Sequence, residues 1–256
     1  MGPVAPVPVS YVGLANDVGE DGAMRHAVIA PPLAWTRAER ALLRSLSTPL
    51  KIQEYLDGLT YRAEERASCP RNVMVERRAH CFDGALLAAA ALRELGHPPM
   101  LVDMWAVRDD DHVLAVYRVD GHYGAVAKSN FVGLRYREPI YRSVRELVMS
   151  YFELYFNLDG EKTLRAYSRP LRLDRFDRLG WRFSDEPLPH ISDRLDGLPH
   201  TPILTRRMQR GLSPVDARSM EAGMIGTLAE GVYSGGEHAG ARRVVALPAP
   251  APARAR

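Results

Sequence analysis

Residues 81–99 read CFDGALLAAAALRELGHPP, a run of strong helix formers stopped by Gly96, Pro98 and Pro99. Across residues 85–92 every position is apolar, so this helix has no face to give to water and must lie inside the domain. That stretch is far shorter than the roughly 18 residues a membrane span needs. A central buried helix needs other elements packed around it, and the flanking text supplies them.

Upstream, Thr36 with Glu39 three positions on reads as a capping box, followed by Leu42, Leu43 and Leu46 at helical spacing. Pro49 opens a second helix, LKIQEYLDGL. Downstream come three extended runs, 100–107, 112–119 and 123–129. Asp120-Gly121 marks the last two as a hairpin, because the favoured tight turn needs positive φ at both central positions. After Pro139 a Ser143 cap predicts one long helix, ending near Asp159-Gly160. Residues 161–205, with five prolines, read as irregular chain wrapping the core or a cleft. The pattern predicts an α+β domain over residues 35–212. An irregular arm precedes it (1–34, with an edge strand at 7–12), and a short helix over 214–230 and a disordered Ala/Pro-rich tail follow within 213–256.

Composition excludes several classes of function. The 34 basic and 31 acidic residues are interspersed, leaving a net charge of +3 and no footprint for nucleic acid. Two cysteines cannot build a disulfide framework, and MGPVAPVPVS lacks the basic and apolar regions of a signal peptide, so a cytoplasmic protein with no membrane partner is expected. With no His/Cys ligand spacing and no phosphate-binding glycine loop, no metal or cofactor is expected. Asp109-Asp110-Asp111 reads as a solvated acidic turn, and His80 and His122 as structural or exposed.

Cys81 stands at the first turn of the buried helix, where unpaired N–H groups and the helix dipole favour a thiolate. It is therefore a better nucleophile candidate than Cys69, which lies in a Ser-Cys-Pro turn, although a small buried apolar cysteine would fit the same position. His112 leads the second strand, from which it can reach a helix amino terminus packed on the sheet.

The segments RAHCFDGALLAAAALRELG and DDDHVLAVYRVDGHYGAVAKSN together resemble the transglutaminase-like superfamily over about residues 50–135. The resemblance implies a papain-like α+β fold with Cys81 as nucleophile, His112 as its general base and an acidic residue on the next strand. Here the chain departs from the family, reading Ala127-Lys128-Ser129-Asn130. A two-residue turn places Ser129 opposite His112, and a bulge would place Asn130 there. An Asn carbonyl can orient a histidine and a Ser hydroxyl does so more weakly, so Asn130 is the expected third member, with Ser129 and then Asp103 as alternatives. The Cys81 N–H is the first expected oxyanion donor, and Gln53 is either a second donor or a surface residue. The expected activity is that of a thiol enzyme on a peptide or carboxamide bond, with hydrolysis favoured over transamidation. The alternative is a non-catalytic domain of this type that binds a peptide or protein partner.

Overall fold

The computed structural model describes residues 33–64 and 66–233, so the arm, its strand at 7–12 and the tail lie outside the described residues. Helices α1 (Arg37–Ser45), α2 (Pro49–Asp57) and α3 (Pro70–Glu76) lead to α4 (Cys81–Glu94). A two-stranded parallel ribbon, β1 (Thr60–Tyr61) with β2 (Arg78–Ala79), ties the chain before α3 to the residues just ahead of α4. The main sheet is antiparallel. It runs β6 (Arg137–Tyr141), β5 (His122–Val126), β4 (His112–Val119), β3 (Met100–Ala106), β7 (Leu164–Ser168), β9 (His200–Pro202), with β8 (Leu171–Arg172) also on β3. Short helices α5 (Val144–Met149), α6 (Leu188–Asp196), α7 (Arg206–Arg210) and α8 (Ala217–Gly223) complete the chain.

The period of two along the strands divides the core into layers. Leu101, Val113, Ala115, Tyr117 and Val126 pack with α4, and α1, α2, α3 and α6 enclose that helix; residues 85–92 are 0–1% exposed. Val102, Met104, Leu114, Val116 and Ala125 face the other way, onto Leu147, Val148, Tyr151 and Tyr155. The capping box at Thr36 and the Pro49 start of α2 form as expected, and Asp120 and Gly121 both take positive φ. Among the described residues no helix is long and apolar enough to cross a membrane.

Three expectations change. The returning hairpin strand stops at Val126, because the Gln53 side chain takes both main-chain groups of Ala127. The long helix after Ser143 ends at Met149 and the chain turns through a 3-10 segment, Phe152–Leu154. There Ser150 Oγ donates back to the Leu147 carbonyl and Arg137 donates to that of Ser150, so carbonyls of the final turn are satisfied without further helix. Residues 161–205 contain α6 and three short strands, one of them, β7, inside the sheet beside β3. Five residues with a register shift opposite are too few to carry a legible period. Residues 213–233 are docked on the domain: the Val215 N–H donates to the Gly160 carbonyl, and Gly223 lies flush on the Phe156 ring.

Candidate active site

His80 caps α4 with extended backbone, its Nδ1 accepting the Phe82 N–H at 3.1 Å, which makes Cys81 the first helical residue. Two positions on, the fully buried Asp83 accepts from the Ser68 N–H at 2.7 Å and from Arg62 at 2.9 Å; Arg62 also pairs with Glu76. This buried knot holds the amino terminus of α4 against the chain that precedes it.

The Cys81 thiol meets the main chain at the start of β4. It lies 3.8 Å from the Asp111 carbonyl oxygen and receives the Val113 N–H. Burial pushes the thiol up to about 12, the Val113 N–H opposes this, and the Asp110, Asp83 and Asp103 carboxyls add to it. The expected fall in the thiol pKa does not occur, because a helix end is worth about 0.3–1 kcal/mol and loses to desolvation beside carboxylates. Cys69 is likewise pushed up to about 12 by burial. The two cysteines thus differ in access and not in acidity: Cys69 is fully buried and Cys81 is partly exposed to the cavity.

His112 is buried, and its Nε2 lies 2.7 Å from the Leu134 carbonyl oxygen. A carbonyl only accepts, so the ring proton sits on Nε2 and Nδ1 is the basic nitrogen. Burial holds the imidazolium form down to about 4. The ring's orienting partner is therefore a main-chain oxygen, for which no side-chain pattern exists to be read.

None of the three expected partners orients His112. Asn130 Oδ1 accepts the Leu228 N–H and its Nδ2 donates to the Leu228 carbonyl, each at 2.9 Å. Ser129 Oγ accepts the Phe131 N–H at 3.0 Å; the hairpin keeps the register of the unbulged two-residue turn, without the bulge that Asn130 as third member requires, and its ladder ends before reaching position 129. Asp103 pairs with Val113 and so stands on the α4 face, whereas His112 pairs with Met104 and turns to the other face. The Asp103 carboxylate meets His200 Nε2 at 2.7 Å instead. Gln53 is not an oxyanion donor either, because its Nε2 hydrogens go to Asp57 and to the Ala127 carbonyl, both at 2.9 Å. Nor is the acidic turn fully solvated, since Asp109 is buried and accepts from Thr163.

Cys81 and His112 nonetheless line one cavity of about 720 Å³, together with Tyr61, Asp103, Asn130 and Phe131. It lies where β4 runs past its last pairing with β5, Ala115 with Val126, to His112 and Val113. Tyr61 was not singled out by its sequence; β1 pairs it with Ala79, two residues before Cys81, and burial next to the Cys81 sulfur keeps its phenol protonated. A comparison of the chain with protein-family models and with curated proteins finds no match.

Proposed function

We propose that this protein is a thiol acyl enzyme of transglutaminase-like type, acting on a peptide or carboxamide carbonyl through a Cys81 thioester. The observation that carries the reading is the fixed tautomer of His112: Nε2–H is spent on Leu134, leaving Nδ1 as a base in the same cavity as the thiol. Because the thiol is held near 12 and the imidazolium near 4, the resting pair is neutral, and the proton moves only as sulfur attacks. In that step the S–C bond forms, a water in the shared cavity relays the thiol proton to Nδ1, because the His112 ring turns to the sheet face away from α4, and the carbonyl π electrons move to oxygen. The Cys81 N–H, first amide of α4, and the Tyr61 hydroxyl supply hydrogen bonds to that oxygen. Collapse breaks the C–N bond, the amine leaves with the proton from Nδ1, and a thioester remains. Water deprotonated by His112 then releases the acid, or an amine takes its place and forms a new amide.

Incubation with p-nitrophenyl acetate followed by peptide mapping tests this. Acetylation confined to Cys81, abolished by Cys81→Ala and slowed by about 10²-fold or more in His112→Ala, is expected. Label found on Cys69, or equal labelling of parent and His112→Ala, would refute it. The neutral thiol among carboxylates favours a second reading, a binding cleft without chemistry. That reading predicts no acyl-enzyme with any activated ester, and peptide affinity unchanged by Cys81→Ala.

A further inference from the structure

The chain returns to this cavity near residue 230. Thr227 Oγ1 donates to the Asn130 carbonyl at 3.2 Å, and the Asn130 side chain then engages both main-chain groups of Leu228. A side-chain amide that satisfies one residue's N–H and C=O is holding it as a neighbouring strand would. Three residues on, Gly231 lies flat against the wall. A Cβ there would stand 2.7 Å from the Tyr61 ring and 2.8 Å from Asn130 Nδ2, closer than real Cβ contacts come. Glu230, Gly231, Val232 and Tyr233 line the same cavity as Cys81 and His112.

We propose that residues 227–233 are a tethered ligand. The cavity is a peptide groove partly occupied in cis, which grips both main-chain groups of one residue at Asn130 and selects glycine three positions further along, where Tyr61 and Asn130 leave no room for a side chain. This rests on the cavity being the substrate site of the reading above, but not on its chemistry. The natural ligand is then a peptide chain with glycine at that spacing, and the protein's own segment competes with it.

The test uses a fluorescent peptide of residues 226–234, GTLAEGVYS, added to the full-length chain carrying Cys81→Ala, with binding read by anisotropy. Releasing the internal segment by Gly231→Ala should raise affinity for the peptide by about tenfold or more, roughly 1.4 kcal/mol. A peptide with alanine in place of the glycine that corresponds to Gly231 should lose a similar factor. Leu228→Pro provides an independent release: the backbone there is extended at φ −83°, which proline accepts, so the N–H that Asn130 holds is removed while the cavity wall is untouched. It should raise affinity in the same way. Equal affinity in segment-intact and released proteins, or equal binding of the glycine and alanine peptides, would overturn the proposal. Because Cys81 is absent throughout, failure here with Cys81 acetylation intact removes only the tethered ligand. Binding without acetylation removes only the chemistry.

Discussion

Gln53 connects a helix to the end of a strand with a single amide. Its Oε1 accepts the Ala127 N–H at 3.0 Å, its Nε2 donates to the carbonyl of the same residue, and the side chain is almost fully buried. Gln53→Ala strands both Ala127 groups and should cost about 2–4 kcal/mol in urea unfolding, two buried polar groups at roughly 1–3 kcal/mol each, less relaxation. Gln53→Glu should recover little of this, because a carboxylate cannot donate and would face Asp57. His112 makes a pH prediction. Its folded value is depressed to about 4, so between about 6.5 and 4 the unfolded chain binds a proton that the native chain refuses. Stability contributed by this site is full above about 6.5 and is lost as pH falls towards 4, at about 1.4 kcal/mol per pH unit at most. His80, lowered to about 4 by burial, acts with the same sign, and Asp83, raised to about 7 by burial, opposes it. His112→Gln should flatten the pH dependence of urea unfolding by about one proton in that window; an unchanged slope would refute the buried neutral ring. The tautomer of that ring was hidden in the sequence, because its partner is a carbonyl, a group every residue carries.

The α4 helix was legible because it contains no polar stripe, and a helix with no outward face has only one place to go. What fixes its two sides was less so. Gly84 lets the helix meet the chain after β5 so closely that an added Cβ would stand 2.3 Å from Lys128 Cβ. The Lys128 ammonium, meanwhile, donates to the Leu56 and Leu59 carbonyls at the carboxyl end of α2. Gly84→Ala should therefore cost more than an overpacked core position usually does, about 3 kcal/mol or more, in spite of alanine's better helix propensity. At the amino terminus, Asp83→Ala leaves the Arg62 guanidinium buried without that carboxylate. Because Arg62 keeps Glu76 and the Ser68 N–H loses its acceptor, the substitution should cost about 1–3 kcal/mol and loosen the start of α4, seen as faster amide exchange at Phe82. The sequence showed Arg62 and Asp83 only as two charges among many, since nothing local says that either is buried.

Across the whole molecule, Asp103, Ser168 and His200 stand abreast on β3, β7 and β9, all buried, with Ser168 Oγ accepting the Asp103 N–H and His200 facing the carboxylate. His200→Ala should cost about 3–5 kcal/mol, because it takes the imidazole from a buried carboxyl group. It should leave acetylation of Cys81 within about twofold of the parent at equal folded fraction, because the His112 ring is oriented by the Leu134 carbonyl and not by Asp103. A large loss of acetylation would return Asp103 to the catalytic group. By itself the sequence determined the elements whose causes lie within a few residues: the capping box at Thr36, the proline start of α2, the buried helix, and the hairpin with its register. Only the tertiary structure decided where β5 ends, what holds His112 and which distant segment lines the cavity. Those contacts join residues 74, 22 and 98 positions apart, and a linear text carries no record of which distant backbone groups a folded chain brings within hydrogen-bond reach.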